Sequence, residues 1–538
     1  MIISKNNVLR DVTKDYLNNL STIPTTDIIE NELLNKIHER FHLENSVKNT
    51  KSETWRLPQV LPNLVIAYCL MELHSIKQIV WTKSDVENNT SLAVYQESGE
   101  QKGLYVSDEN LFNNLIASFN PSISKKDIAE VIAILKRLTP TVKRCTDRDL
   151  IAVENGIFNY STKQLIPFSP DYVFTTKSHV AYNPMASNIT IHNPIDNTDW
   201  DVESWMQSLS DDEEIVEVLW EILGAIIRPN VNWGKSAWFY SNTGNNGKGT
   251  LCELMRNLCG EGAYTSITLS DFSKEFMLEP LTKVSAIIVD ENDVGTYIDK
   301  AANLKAIITN DVIQINRKFK SPIAYQFYGF MVQCLNELPR IKDKSDSFYR
   351  RQLFVPFSKC FTGQERKYIK YDYLQRKEVL EYVLFKVLNM NYYSLSEPVA
   401  CQIALSDYKE YNDPIRQFAI EILPQCTWDL LPFGFLYDLY REWFKENCPS
   451  GLIQSKTTFI EELVHILPSF IDWECLNKNH AHRPSNMMDA PETLIARYNL
   501  INWGNALYRG NDIKQRCTHI HRVANYKGIL RKKQVCNP

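Results

Sequence analysis

The residues best suited to chemistry converge on Lys248, near the end of the run SAWFYSNTGNNGKGT from Ser236 to Thr250. An apolar stretch gives way to a Gly/Asn loop, and the loop to a helix-forming sequence. Gly244 and Gly247 let backbone N–H groups approach phosphate oxygens, with Asn245 and Asn246 between them. A helix starting after them adds the partial positive charge of its N-terminus. The Lys248 ammonium neutralises β- and γ-phosphate charge. Two positions depart from G-x-x-x-x-G-K-[ST]. Asn242 stands at the first glycine, and Gly249 follows Lys248, which displaces the hydroxyl to Thr250. Thr250 is the candidate for the Mg²⁺ side, with direct phosphate contact as its other role. The chemistry indicated is binding of a nucleoside triphosphate, ATP with Mg²⁺.

Three further pieces fit the same chemistry. Ala286-Ile287-Ile288-Val289-Asp290-Glu291 is an apolar strand ending in two carboxylates. Acids at the carboxyl end of a buried parallel strand sit where ligands bind in open α/β sheets. One acid can hold Mg²⁺, with Asp290 the candidate, and the other can polarise the attacking water. Phe330 to Leu335 is a second apolar strand, ending in Asn336, an amide able to orient water near a γ-phosphate. Arg350-Arg351 then precedes the strand-like Leu353 to Phe357. Arginine suits a finger acting in trans because its planar fork is always charged and binds phosphate bidentately.

The elements that must position these residues can be read in order. Residues up to about 55 look helical, and LPNLVIAYCLMEL, ending at Leu73, reads as a buried helix. Ser91–Tyr95 and Lys102–Val106 read as two strands around Glu97-Ser98-Gly99-Glu100. Asp108–Phe119 and Ser124–Leu138 read as helices, the second started by Ser124 with Asp127. Asp147-Arg148-Asp149 has the D-x-D form that can ligate two metals, but a polar turn before Leu150–Val153 is the preferred reading. Between Asp199 and Glu221, helix-spaced apolar residues put the charges on a solvated face. Ser210 with Glu213 fits a capping box. After Trp428, helices are expected around Leu436–Phe444 and Phe459–Val464. From Gly504 to Pro538, eight Lys/Arg face one acid, Asp512. That basic end suggests a winged-helix domain able to touch duplex DNA, with a solvated basic tail as the alternative. His480, His482, His519 and His521 with Cys475 and Cys517 match no closed zinc spacing, so ordinary strand residues are expected.

Composition narrows the class. The chain has 538 residues, 44% hydrophobic and 23% charged, with a net charge of −5. It is too long for one core, and a nucleic-acid partner would need local basic surface. Twelve cysteines without C-x-x-C read as reduced core residues rather than a disulfide framework. Leu64–Met71 is too short to span a bilayer, and MIISKNNVLRDVTKDYLNNL is too charged for a signal peptide. A cytoplasmic protein with no membrane partner is expected.

The pieces around Lys248, Asp290, Asn336 and Arg350-Arg351 resemble the superfamily 3 helicases, within them the phage and plasmid primase-helicase family that includes poxvirus primase-helicases. NGKGT (246–250) and LNELPRIKDKSDSFYRRQLFVPF (335–357) carry the resemblance most specifically. LIAVENGIFN (150–159) and PDYVFTTKSHVAYNP (170–184) are similar to that family's pre-helicase domain. The resemblance implies a hexameric AAA+-like ring with ATP at subunit interfaces and Arg350 or Arg351 reaching the neighbour's site. It also implies 3′ to 5′ translocation on single-stranded DNA and unwinding of forked DNA during replication. A basic segment between the acid and amide strands would contact DNA in the channel. Here it contains Lys305, Arg317, Lys318 and Lys320, with Lys318 leading and Phe319 expected to support the hairpin from within. Host replication proteins would be further partners, in a bacterial host's cytoplasm.

The expected fold is α/β: an AAA+-like P-loop ATPase core, a mainly helical or α+β N-terminal domain, and a C-terminal winged-helix-like domain. The expected divisions are a helical region at 1–80, a pre-helicase domain at 81–195, a helical collar at 196–232, the ATPase core at 233–360, a helical lid at 361–425 and the DNA-binding domain at 426–538. The expected function is an ATP-dependent DNA helicase of a phage, plasmid or mobile element, with no primase module ahead of the pre-helicase region. The alternatives are an initiator ATPase without productive unwinding and a primase-helicase with residual primase activity.

Overall fold

A computed structural model describes residues 4–48, 53–82, 90–363, 365–447, 453–518 and 523–532, with the side chain of Lys320 left aside. The chain divides into two compact units, Met1–Gln402 and Ile403–Pro538. The division falls inside the stretch expected to be one helical lid. Its first helices bury Ile369, Val379, Val383 and Leu384 with the central sheet of the first unit. The helix Pro414–Ile422 instead buries Ile415, Phe418 and Ile422 with Trp428 and Leu436 of the second.

The centre of the first unit is a five-stranded sheet. Its order is Tyr264–Thr265, Ala286–Val289, Phe330–Leu335, Ser236–Tyr240, Gln352–Pro356, and every pairing is parallel. Strands covered on both faces read as continuous apolar runs, as AIIV and FMVQCL do. Alternation along each strand assigns the faces. Ala237, Phe239, Ile288, Val332 and Cys334 join the core that also buries Leu251, Cys252 and Met255 of the helix Lys248–Cys259. Trp238 faces the other way, with its ring 5.2 Å from Phe354 and 6.2 Å from Phe348.

Upstream elements pack onto this core. Helices Lys5–Asn18, Thr26–Ser46 and Asn63–Leu73 bury their apolar faces with Lys125–Leu138 in a core of their own. Ser124 caps that last helix, accepting the Asp127 N–H at 3.2 Å. Strands Thr90–Tyr95 and Tyr105–Val106 pair antiparallel, as expected from sequence. The helix Glu213–Ile227 starts differently from expectation. Asp212 is its N-cap, accepting the Glu214 N–H at 3.0 Å, and Ser210 holds the Asp212 N–H. An aspartate two residues nearer the helix out-competes the serine because its carboxylate also favours the N-terminal dipole. Just past that helix, the guanidinium of the fully buried Arg228 lies 3.5 Å from the Tyr160 ring and donates to the Tyr392 carbonyl. It ties Tyr160, just past the strand Gly156–Asn159, and Tyr392, just past the helix Lys377–Asn389, to the end of this helix.

In the second unit, Leu430–Pro432, Tyr526–Arg531 and Trp473–Glu474 form an antiparallel sheet in that order. Helices Pro414–Ile422, Phe433–Asn447 and Lys456–Ile466 pack around Trp428, Tyr440 and Phe459. Cys517 follows the short helix Ile513–Arg516 and is buried, rather than alternating along a strand. The His480 and His482 rings lie 4.7 Å apart. His519 and His521 lie outside the described residues.

Candidate functional site at the carboxyl end of the parallel sheet

The loop 241–247 leaves the strand Ser236–Tyr240 at its carboxyl end and enters the helix Lys248–Cys259. Gly247 caps that helix with φ +87°, a conformation in which a side chain is strained. A Cβ there would also meet Leu209 Cδ2 at 2.6 Å. Asn245 takes the left-handed region too, with φ +52°. It is held by a segment arriving after Gln352–Pro356. The Phe361 N–H donates to the Asn245 carbonyl at 2.7 Å, and Asn245 Nδ2 donates to Glu365 at 2.9 Å. Asn242, in place of the first glycine, accepts from the Tyr240 hydroxyl.

Lys248 is only 5% exposed, and its Nζ has no hydrogen-bond partner. Burial pulls its ammonium below the usual lysine range, opposed by the nearby Cys334, Cys252 and Asp290. An unpartnered buried ammonium is costly, and a ligand phosphate would satisfy it. Asp290 follows the strand Ala286–Val289 and lies over the first turn of the Lys248 helix. A Cβ on Gly249 would come within 2.9 Å of Asp290 Oδ1. That close approach accounts for the glycine where a serine or threonine is usual, and Thr250 is half-buried one residue on. Arg256 Nη1 stands 3.5 Å from Asp290 Oδ2, and Lys370 Nζ 4.0 Å from it.

Glu291 and Asn336 are both exposed beyond their strands. A pair of buried amides missed in the sequence ties those strands together. Asn292 Nδ2 donates to Gln333 Oε1 and to the Cys334 carbonyl, each at 3.0 Å. Its own Oδ1 accepts the Leu269 N–H at 2.9 Å, and Gln333 Nε2 donates to the Ile267 carbonyl at 3.0 Å. The signal was present: one glutamine inside FMVQCL, buried on both sides, requires a polar partner. Asp147 Oδ1 accepts the Asp149 N–H at 2.9 Å, and the Tyr393 hydroxyl donates to Asp149 at 2.6 Å, the geometry of a polar turn.

Arg350 and Arg351 are not brought to this loop. Ser236 pairs with Gln352 and Tyr240 with Pro356. The arginines therefore precede the sheet's amino end, about 16 Å of strand from the loop. Arg351 turns back on Ser347, donating to its hydroxyl at 3.1 Å, whereas Arg350 is exposed.

The basic segment forms the hairpin Val312–Arg317 and Lys320–Gln326. Lys318 is exposed at its tip, and the Arg317 guanidinium donates to the Ser321 carbonyl. Phe319 does not support the hairpin from within: it is 96% exposed with φ +60°. With Arg317 paired directly to Lys320 across the tip, the chain has no room to fold that ring inward. Lys305 lies on the helix Ala302–Ile308, paired with Asp343 at 2.6 Å. Among the described residues, no helix is long and apolar enough to cross a membrane.

Fold and site define a mixed α/β protein whose polar side chains gather at the carboxyl end of a parallel sheet, where such folds bind ligands. Residues 37–211 match the family "D5 N terminal like", 410–499 match "Poxvirus D5 protein-like", and 239–351 match a family of unknown function, DUF5906. The chain is 22% identical over 392 residues to "Putative helicase L207/L206" of Acanthamoeba polyphaga mimivirus. That alignment takes in 66% of this chain and 40% of the mimivirus protein, so the chain spans less than half the length of that relative. Among solved structures, the apo C-terminal region of NrS-1 aligns with a TM-score of 0.40 at 16% identity, over 82% of this chain and 91% of that one. JCV helicase with a bound acetamide compound aligns with a TM-score of 0.24 at 15% identity, over 39% and 58%. These sequence matches support a relationship to the phage and viral primase-helicases.

Proposed function

We propose that this chain is an ATP-dependent DNA helicase of a phage, virus or other mobile element, built on an AAA+-like P-loop core. The observation that carries the reading is Lys248: a buried ammonium without a partner, at the mouth of a Gly-rich loop, beside the Asp290 carboxylate. The sheet order, with the loop-bearing strand between the amide and arginine strands, supports a P-loop core.

In this reading the N–H groups of Gly244 to Gly249 and the Lys248 ammonium cradle the β- and γ-phosphates of ATP. Asp290, with Thr250 as the neighbouring hydroxyl, holds Mg²⁺, which supplies charge neutralisation on the phosphates. The residues suit that ion: a carboxylate and a hydroxyl are hard oxygen donors. Arg256 and Lys370, 3.5 Å and 4.0 Å from Asp290 Oδ2, orient that carboxylate before nucleotide arrives. Glu291 and Asn336, exposed at the adjoining strand ends, orient water at the γ-phosphate. Arg350 is the better finger of the two arginines, because Arg351 is tied to Ser347. Its place at the far end of the sheet suits action on a neighbouring subunit, as in a hexameric ring.

DNA enters through the hairpin. Lys318 and Arg317 track phosphates, and Phe319 offers an exposed ring to a base. A bulky residue held left-handed in solvent is unfavourable on both counts, which supports a ligand-facing role. Translocation is read as 3′ to 5′ on single-stranded DNA. In the second unit, three helices and a four-stranded sheet in which the last strand, Tyr526–Arg531, pairs with the other three support a winged-helix reading, with Lys456–Ile466 as the helix facing DNA.

The test is ATP hydrolysis and forked-duplex unwinding by the full chain. Lys248→Ala lowers hydrolysis by roughly 10²-fold or more, as loss of a charged phosphate contact does, and abolishes unwinding. Undiminished hydrolysis in this variant would defeat the assignment. Robust hydrolysis by the unaltered chain without strand displacement would leave an ATPase and remove the helicase.

A further inference from the structure

Two cysteines meet under the Lys248 loop. Cys252 lies one turn into the Lys248 helix and Cys334 near the end of the amide strand, with their sulfurs 3.4 Å apart. Both are buried, at 0% and 2% exposure. The Asp290 carboxylate completes the group. Ligand atoms of Cys252, Cys334 and Asp290 all lie within 4.8 Å of one another, the one such group among the described residues. The buried Lys248 ammonium, with no hydrogen-bond partner, is near enough to all three to feel their charge.

We propose that Cys252, Cys334 and Asp290 form a binding site for a soft divalent cation of the zinc class, and that filling it shuts the nucleotide site. Tetrahedral zinc takes sulfur at about 2.3 Å and carboxylate oxygen at about 2.0–2.2 Å, which separates paired sulfurs by about 3.8 Å. The sulfurs here need to part by only a few tenths of an ångström. Three protein ligands leave a fourth position for water, and the half-exposed Asp290 provides the entry path.

Charge closes as well. The cation displaces one proton from each thiol to solvent, so two thiolates, one carboxylate and M²⁺ carry a net −1. The Lys248 ammonium beside them offsets that charge. Selectivity follows from ligand softness. Mg²⁺ uses oxygen donors and takes Asp290 alone, whereas zinc or cadmium gains both sulfurs. The consequence, inhibition, rests on reading Asp290 and Lys248 as the nucleotide-binding pair; the metal site itself does not. A soft cation draws the carboxylate toward the cysteines and occupies the ammonium with the anionic complex.

The experiment uses the full, nucleotide-free chain, reduced with a phosphine and titrated with Co²⁺ as the spectroscopic probe. The expected result is a thiolate-to-metal charge-transfer band with intense tetrahedral d–d absorption, release of two protons per ion, and displacement of the bands by Zn²⁺. Cys252→Ala and Cys334→Ala each abolish the charge-transfer intensity of the pair, and the near-isosteric Cys252→Ser and Cys334→Ser check that folding is not the cause. In parallel, Zn²⁺ inhibits Mg²⁺-ATP hydrolysis by the unaltered chain at least tenfold more strongly than by either alanine variant. Absence of the bands at saturating Co²⁺, or bands that survive both substitutions, overturns the site. Equal zinc inhibition of all three proteins overturns the switch. If the unaltered chain hydrolyses no ATP, the enzyme reading fails while the spectra still decide the metal site.

Discussion

Lys248 concentrates the energetics of the site at the scale of one residue. Its ammonium is buried among a helix turn, two thiols and a carboxylate, with no hydrogen bond to replace lost water. Such a group opposes folding until a ligand arrives. Lys248→Met, which keeps the aliphatic stem and removes the charge, should therefore stabilise the nucleotide-free protein. We expect a rise in melting temperature of about 2–4 °C per kcal/mol relieved, together with, on the proposed function, loss of any stabilisation by ATP. The pH dependence has a definite sign. The folded-state value lies below the ordinary 10.5 of lysine because burial disfavours the charge. Between the folded and unfolded values the unfolded chain binds more protons, so stability rises with pH across that window. Thermal melts from neutral pH towards 10.5 should show the nucleotide-free chain gaining on Lys248→Met. A constant difference would mean that Lys248 is not desolvated.

At the scale of elements, the strands delivered what their sequences advertised. Apolar runs ending in polar residues became parallel strands with those residues at the carboxyl edge, because a strand buried on both faces carries a polar group inside it only where a partner meets it, as Asn292 meets Gln333. The helix start after Ser124 was legible for a similar local reason: an oxygen at the cap meets an orphan N–H. The hairpin tip was less legible. An aromatic flanked by lysines reads equally as a core anchor or an exposed platform, and only the pairing of Arg317 with Lys320 decides it. Phe319→Ala should leave folding unchanged, since the ring is 96% exposed. On the proposed function it weakens binding to single-stranded DNA by about 1–3 kcal/mol, the value of one stacked base. Fluorescence anisotropy with a labelled oligonucleotide measures this, and affinity within twofold of the unaltered chain would return Phe319 to a local role.

At the scale of the molecule, the position of the arginine pair sets a prediction about assembly. Arg350 lies at the amino end of the sheet and the loop at the carboxyl end, so one chain does not supply both to one nucleotide. On the proposed function, with Arg350 acting in trans within a ring, Arg350→Ala and Lys248→Ala should each be inactive alone. In an equal random mixture of rings they should recover about a quarter of the unaltered ATPase rate, because one interface in four joins an intact loop to an intact arginine. A mixture as inactive as its components would place the finger elsewhere. The sequence by itself determined the local facts: a flexible Gly/Asn loop before a helix, acids and an amide at strand ends, an arginine pair before a final strand. These follow from backbone freedom, periodicity and the ban on unpaired polar groups inside a sheet, all of which act within a few residues. Only the tertiary structure decided which distant residues meet. Asp290 abuts Gly249, Asn292 bridges to Gln333, and Cys252 touches Cys334 because parallel strands far apart in the chain are brought into register through crossovers. Register across a doubly covered sheet is set by packing on both faces at once, and no single segment carries that information.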